Sequence, residues 1–531
     1  MAAMQVHPLL RDRAVGLPPA ARQRYDEATI AMARRELDAA GAALNELLAL
    51  APDFVEARRL RGLVAHMRGD HAEAVAILRQ ALAANLDNAL LHMNLGMSLY
   101  SCGEFAAAFS SLRRACELAP DFPPAWFSLG RAFQRQGRSA GAITALHRAV
   151  DLAPEDAVMR SLLAEAQASL GAVAAACTNY REALRHEPDH AEAWLGLARL
   201  QSEPFNEDDL SRLKAAMQRP GILPQARVML GFALSRCLED RREYHVAFRT
   251  LRKANGQKRK QLSWNAALVS ARIGRIRAAF ASPPPEPEDP QLGAEVVFIA
   301  GLPRSGGGLL RRVLAGHAQV DASDRPQHLR EIIEEESRRR QQGFPQWTIA
   351  ATAADWARLG RDYLARAVRA QDDKHCFIDQ SDQDWHVMGA AMAMLPGARM
   401  VDCRRDPLEN CFSCYRQLFA DNHEFSYDLD ELASFWHDYD ALAAHWQQLY
   451  PARVFVHEHE SLLADPPLQL LRLLRFLQLD EDQRCLDVHV NRRPGGAGNA
   501  ARLREPLRWR EPRGPAYAGE LDRLRLLLGL R

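Results

Sequence analysis

Two different periods of small and apolar residues divide this chain. From Phe54 to about Leu200 the columns recur every 34 positions: Gly69, Gly103, Gly137 and Gly171; Ala74, Ala108, Ala142 and Ala176; Ala81, Ala115, Ala149 and Ala183; and Leu95, Leu129, Leu163 and Leu197. Pro52, Pro120, Pro154 and Pro188 keep the same spacing if Leu86 fills the missing place. Small residues are needed where antiparallel helices approach, glycine allows the turn between them, and proline ends one pair and starts the next. The pattern therefore predicts helix hairpins, four of them clear, with degenerate helices over Arg24–Leu50 and after the last hairpin. One hairpin cannot bury its own apolar face, so the units must stack into an α solenoid.

Beyond Glu207 the chain still reads as helical up to Phe280, but the period is lost. Ser282–Pro290 reads SPPPEPEDP, which cannot continue a helix and predicts a stiff spacer. After it, short apolar runs at Val296–Ala300, Arg399–Cys403 and Arg453–His457 alternate with helix-length amphipathic segments, the signature of a parallel sheet flanked by helices. The expected organisation is an N-terminal extension (1–23), a helical array (24–281), a linker (282–293) and an α/β domain (294–531). Trp126 and Trp194 stand three residues before their row's leucine, so the array resembles tetratricopeptide repeats. That resemblance implies a concave surface for a protein or peptide, although the spacing fits a dimerisation platform equally well, and homo-oligomerisation stays open.

The most informative local stretch is Val296-Val297-Phe298-Ile299-Ala300-Gly301-Leu302-Pro303-Arg304-Ser305-Gly306-Gly307-Gly308. A buried strand running into a glycine loop and then a helix offers successive backbone N–H groups at a helix N-terminus, where the dipole favours an anion. A plain strand-to-helix turn would not need three consecutive glycines. Gly301 and Gly306 keep the spacing of a Walker A loop, but Gly307 and Gly308 stand where that loop needs Lys and Ser/Thr, so a P-loop NTPase is excluded. The stretch instead resembles the 5′-phosphosulfate loop of sulfotransferases that use 3′-phosphoadenosine 5′-phosphosulfate (PAPS). Pro303, Arg304, Ser305 and Gly306 match, and two threonines are replaced by Gly307 and Gly308.

A second segment, Cys403-Arg404-Arg405-Asp406-Pro407 through Ser413-Cys414-Tyr415, resembles that family's 3′-phosphate motif, with Arg405 and Ser413 in the places of the clamping arginine and serine. Val456–Leu462 with Asp465-Pro466 adds to the likeness, which spans roughly Val296–Arg493. The resemblance implies a P-loop-like α/β fold, PAPS as co-substrate, no metal, and Arg304, Ser305, Gly306, Gly307, Gly308, Arg405 and Ser413 around the nucleotide. It also implies sulfuryl transfer to a hydroxyl or phenol, a protein or peptide tyrosine included.

Several catalytic positions depart from that pattern. The basic glutamate expected about twenty residues after the loop is Arg325, with Asp324 beside it, and an arginine is no base at neutral pH. An Asp-Lys-x-Pro-x-Asn segment reads Asp379-Gln380-Ser381-Asp382-Gln383-Asp384, so a leaving-group lysine has become Gln380. Near the C-terminus Pro494–Ala501 reads PGGAGNAA, with Arg502, Arg504 and Arg508 as candidate phosphate contacts. Arg304, and Asp324 if the loop shifts by one residue, are then the candidate catalytic groups. Loss of positioned acid/base help costs about 10²–10⁴ in rate. Two readings follow: a sulfotransferase, or a catalytically impaired scaffold of that ancestry working through its repeats.

Composition adds limits. A formal net charge of +1 provides no long-range field, so an anion site has to be built locally. The basic stretch Arg252–Lys260 reads as a solvated helix face rather than a nucleic-acid surface. No run reaches the length of a membrane span and Met1–Arg24 lacks the apolar core of a secretory signal, which predicts a cytoplasmic protein. Nine cysteines without a dense framework fit a reducing compartment, and Cys411 with Cys414 reads as buried thiols in a helix. His457 and His459 share a strand face without a third metal ligand at sensible spacing.

Overall fold

The computed structural model describes residues 7, 9, 13–322, 328–367, 375–420, 423–487 and 512–530. The chain forms two compact units, Met1–Gly196 and Leu197–Arg531.

The first unit is a succession of helix hairpins. These are α1 (Pro19–Ala33) with α2 (Leu37–Leu50), α3 (Val55–Arg68) with α4 (His71–Ala84), α5 (Ala89–Ser101) with α6 (Phe105–Leu118), α7 (Pro123–Arg135) with α8 (Ser139–Leu152), and α9 (Ala157–Ser169) with α10 (Val173–His186). Gly69, Gly103, Gly137 and Gly171 turn the last four pairs with φ of 93°, 82°, 69° and 72°, a region costly for a residue with a β-carbon, and Arg35 with φ of 60° stands at the turn of the first. The proline column has its own physical reason. The residue six places on donates a side-chain N–H to the carbonyl at that position in every repeat: Arg58 to Pro52 (2.5 Å), His92 to Leu86 (2.9 Å), Trp126 to Pro120 (3.0 Å), Arg160 to Pro154 (2.5 Å) and Trp194 to Pro188 (2.9 Å). What the site requires is a carbonyl, so Leu86 substitutes without loss.

A further column, Gly62, Gly96 and Gly130, lies where the two helices of a hairpin touch. A β-carbon there would stand 2.6, 2.6 and 2.5 Å from the Cγ of Leu78, Leu112 and Leu146. Those leucines are completely buried, so each fills the space that glycine leaves.

The second unit begins within α11 (Ala191–Leu200) and continues through α12 (Glu207–Gln218), α13 (Pro224–Asp240), α14 (Tyr244–Arg259) and α15 (Ala266–Ala279) before its first strand. Five parallel strands follow, β1 (Val296–Gly301), β2 (Val320–Ala322), β3 (Cys376–Ser381), β4 (Arg399–Arg404) and β5 (Val454–Glu458), in the order β2-β3-β1-β4-β5. The interleaved helices are α16 (Gly307–Leu314), α17 (His328–Arg340), α18 (Ala353–Ala367), α19 (Met388–Met394), α20 (Pro407–Tyr415), α21 (Leu429–Leu449), α22 (His459–Ala464), α23 (Pro466–Leu477) and α24 (Asp522–Leu527). The fold is thus an array of helical repeats followed by a parallel α/β sheet. Strand β5 ends at Glu458, so His459 opens α22 instead of sharing a strand face with His457.

Successive residues of β1 point to opposite faces, and both faces are covered, so the strand reads as an unbroken apolar run. Val296, Phe298 and Ala300 join a core with Trp356, Met400 and Trp446, whereas Val297 and Ile299 join Leu310, Val313, Val401 and Leu473. Ile273 and Ile276 of α15 and Phe280 lie in the first of these cores. The proline-rich stretch after Ala281 therefore marks a change of sequence period without separating the packing, since α15 contributes to the same apolar layer as β1.

Replacing Gly130 with alanine should force Leu146 aside and destabilise the repeats by about 1–3 kcal/mol. Urea unfolding of the full chain followed by far-ultraviolet circular dichroism would measure this. An equivalent change at exposed Gly256, which has open space around it, should cost little.

Candidate functional site

The C-terminal ends of β1 and β4 meet at a place where no side chain fits. Gly301 pairs with Cys403, and a β-carbon on Gly301 would lie 2.6 Å from the Cys403 carbonyl oxygen and 2.7 Å from Ser305 Oγ. The loop that follows is held by α20. Asn410 donates its side-chain amide to the Pro303 carbonyl at 2.9 Å, and the Cys414 thiol donates to the same oxygen at 3.1 Å. Helix α20 starts where it does because Pro407 occupies its first turn and the Asp406 carboxylate accepts the Glu409 N–H at 2.9 Å.

Arg304 is the pivot of the loop. Its φ is +69°, an uncommon conformation for a residue with a β-carbon. Two contacts hold it there: Arg304 Nε donates to Ser413 Oγ at 3.0 Å, and Arg405 Nη1 donates to the Arg304 carbonyl at 3.2 Å. Strained conformations of this kind persist where surrounding contacts over-determine them. Gly306, with φ of +107°, then caps α16. The glycine loop and the Arg405/Ser413 pair, about a hundred residues apart in sequence, are thus in direct contact. Ser305 and Arg405 together line a cleft of about 390 Å³ with Asp406, Asn410, Trp436 and Tyr439.

The electrostatics of this corner are positive and dry. Burial pushes the Arg304 guanidinium down, and Arg405 and Arg416 act in the same direction. His459 lies against the loop: a β-carbon on Gly306 would be 2.5 Å from its Nδ1. Burial first, then Arg405, His457 and Arg304, push His459 down to about 4. The Arg405 guanidinium stands 3.8 Å from Glu409 and 3.8 Å from Glu460, too far for direct hydrogen bonds. Burial raises the Cys414 thiol to about 12 and pushes the Cys411 thiol well up too, in keeping with structural rather than reactive cysteines.

The altered catalytic positions have defined surroundings. Gln380, at the end of β3, places its Nε2 3.6 Å from where a Gly307 β-carbon would be, so the position occupied by lysine in the resembling family sits beside the loop. A β-carbon on Gly308 would meet nothing within 4 Å. Asp379 is buried and accepts from Tyr363 Oη at 2.6 Å, and burial raises its carboxyl. Asp384 is also buried, raised to about 7 by burial despite Arg330 at 2.9 Å. Asp382 lies 3.5 Å from His423 Nε2. Asp324, Arg325, Arg502, Arg504 and Arg508 lie outside the described residues. Among the described residues no group of three or more His, Cys, Asp or Glu is arranged to hold a metal ion.

The sequence predicts helices over Glu207–Phe280 but not that they stand behind α20. Glu239 of α13 takes Arg236 at 2.9 Å, Arg513 at 2.6 Å and Arg416 at the end of α20. Phe248 of α14 packs against the rings of Phe412 and Tyr415 on α20, and Asn255 Nδ2 donates to the Tyr415 carbonyl at 3.1 Å. Gly514 N–H donates to Glu409 at 2.5 Å. The helix that presents Ser413 is therefore braced by α13, α14 and the C-terminal segment. A single buried acid among arginines was the available signal, and it has no sequence spacing of its own.

Burial alone would raise Glu239, but Arg416, Arg513 and Arg236 outweigh it and hold the carboxyl at about 2. Because the folded value lies below the unfolded one, this contribution is complete above about pH 4.5 and is lost as pH falls toward 2. Glu239→Gln should destabilise the second unit by about 3–5 kcal/mol at pH 7, since it leaves buried arginines unpaired. The deficit relative to the unaltered chain should shrink between pH 4.5 and the acid limit, measured by denaturant unfolding at several pH values.

Comparison with known proteins finds matches in both parts of the chain. Residues 296–483 match the model described as Sulfotransferase family, and residues 25–85, 68–123 and 99–166 match models described as Tetratricopeptide repeat. An uncharacterised protein of Aquifex aeolicus (strain VF5) is 24% identical over 315 residues, covering 57% of this chain. The alignment spans 41% of that relative, less than half its length. Among solved structures, a thermophilic tetratricopeptide repeat protein of Thermus thermophilus is 22% identical, covering 33% of this chain and 94% of its own, with a TM-score of 0.30. MamA 41-end from Desulfovibrio magneticus RS-1 is 19% identical, covering 33% and 98%, with a TM-score of 0.29.

Proposed function

We propose that this chain, which joins tetratricopeptide repeats to a sulfotransferase-family domain, binds PAPS on the glycine loop and α20 and transfers its sulfuryl group to a hydroxyl or phenol. The observation that supports this most is the direct meeting of the two anion motifs, Arg304 on Ser413 at 3.0 Å and Arg405 on the Arg304 carbonyl at 3.2 Å. The pocket residues suit such a donor. The Ser305 N–H is taken by the Leu302 carbonyl at 3.2 Å, which leaves the N–H groups of the first turn of α16, at Gly307 and Gly308, for an anion, and Arg405 has a buried Nε without a protein partner.

In the reaction an acceptor oxygen forms a bond to sulfur as the bond from sulfur to the 5′-phosphate oxygen breaks, the electron pair leaving with the phosphate and the acceptor proton passing to a base. The chain's contribution is to orient the donor and to place charge where the phosphate develops its own. Arg304, nearly enclosed and rigidly turned, is the candidate for that charge. The repeats supply a surface for the protein or peptide that carries the acceptor.

A second reading, a nucleotide-binding scaffold without efficient transfer, is favoured by Gln380. Its neutral carboxamide lies beside Gly307, where an ammonium would stabilise the leaving group.

Calorimetry with adenosine 3′,5′-bisphosphate tests the shared part of both readings. The unaltered chain should bind, and Arg405→Ala should bind about 10- to 100-fold more weakly. Absence of binding by the unaltered chain overturns the nucleotide assignment. Radiolabelled PAPS with a pool of peptides and cell extract then separates the two. Label transfer by the unaltered chain supports the enzyme; binding without transfer, restored by Gln380→Lys with Gly307→Thr and Gly308→Thr, supports the scaffold.

A further inference from the structure

Three buried side-chain nitrogens without a protein partner lie together on the β4–β5 side of the loop: Arg405 Nε, His457 Nε2 and His459 Nδ1. Buried polar groups are nearly always satisfied, so several orphans at one place call for an absent ligand. Arg405 already donates to the loop at the Arg304 carbonyl; of the two histidines, His459 is the one set against the loop, 2.5 Å from the position a Gly306 β-carbon would take. Gly306 caps α16, and glycine is required there both for its φ of +107° and for the imidazole beside it. No metal accounts for the two histidines, since no third ligand joins them among the described residues.

We propose that His459 is a further ligand of the anion seated on the glycine loop, its Nδ1–H donating to a phosphate or sulfate oxygen next to Gly306. The inference rests on the nucleotide reading above and adds a side chain from the β5 end to a site otherwise built from β1, β4 and α20.

The charges facing His459 explain how it would respond. Arg304 from the loop and Arg405 from the β4–α20 turn both lower it, as does His457 two residues before it. Glu458 acts on His457, accepting a hydrogen bond from Ser461, and Glu460 lies 3.8 Å from Arg405. Without an anion the ring is neutral, held near 4 by burial and by these cations. A doubly charged phosphate reverses the local sign, so the ring gains a proton as the ligand arrives and the hydrogen bond becomes charge-assisted.

Titration calorimetry of the full chain with adenosine 3′,5′-bisphosphate near pH 7.5, where the ligand's phosphates, with second pKa values of about 6, carry almost no proton to release, in two buffers of different ionisation enthalpy, tests this. The unaltered chain should take up a measurable fraction of a proton on binding. His459→Gln should remove that uptake and weaken binding about 10- to 100-fold, whereas His457→Gln should leave the uptake in place. Binding by the unaltered chain without buffer dependence, or uptake that persists in His459→Gln or disappears in His457→Gln, overturns the proposal while the nucleotide reading stands. No binding at all by the unaltered chain overturns both. Because uptake is read on the unaltered chain, the test holds even if His459→Gln folds poorly.

Discussion

Strands β1 and β4 can end side by side only because Gly301 has no β-carbon to meet the Cys403 carbonyl. That close approach puts the loop after β1 within reach of α20 and the turn before it, and everything at the candidate site follows from it. The Pro303 carbonyl finds Asn410 and Cys414, the Arg304 side chain finds Ser413, and the Arg304 carbonyl finds Arg405. Contacts this dense from one helix and the turn before it leave the loop little freedom. The backbone N–H groups at the start of α16 are then fixed before any ligand arrives, and preorganised donors act on an anion without a cost of reorientation.

A chain with a net charge of +1 cannot concentrate phosphate by its overall field. The positive charge is instead gathered locally and kept partly unneutralised. Arg304 and Arg405 carry it at the loop, while the nearest carboxylates to Arg405, those of Glu409 and Glu460, stand 3.8 Å from it. By contrast, buried Glu239 carries three arginines and buried Glu336 is matched by Arg339, Arg340 and Arg358. Where this protein needs charge for stability it pairs it closely. The looser pairing of Arg405 leaves positive charge at the loop, as the proposed anion site requires.

The repeats were legible in the sequence because a helix hairpin is a local object. The turn glycines, the contact alanines and the carbonyl column around Pro120 and Pro188 each repeat at fixed spacing, so one period reports them all. Strands β1, β4 and β5, the glycine loop and the Arg405/Ser413 pair were legible for a similar reason, being short runs with distinctive chemistry. Strand β2 has three residues, too few for any pattern, and β3 mixes Asp379 and Gln380 into a buried run, which disguises it. The role of α13–α15 was not legible either. Ile273, Ile276 and Phe280 are ordinary helix apolars in sequence, and only packing shows that they share a core with Val296 and Phe298. Nor does any spacing announce that Glu239 ties α13 to Arg416 at the end of α20.

The positions that depart from the sulfotransferase pattern differ in chemistry rather than in shape. Space is open around Gly308, and only ordinary contacts surround Gly307, so hydroxyl-bearing side chains are absent without being sterically excluded. Gln380 likewise keeps the length to reach the loop and lacks only the charge. Backbone N–H groups, which a glycine presents as well as a threonine does, survive these changes, and with them the capacity to hold an anion. What is reduced is stabilisation of charge that develops as the donor bond breaks. On the proposed reading, binding and turnover therefore separate at these residues: the parts that would grip a nucleotide are held by α20 and its braces, and the parts that would speed its chemistry lie on β3 and the first turn of α16, where the substitutions fall.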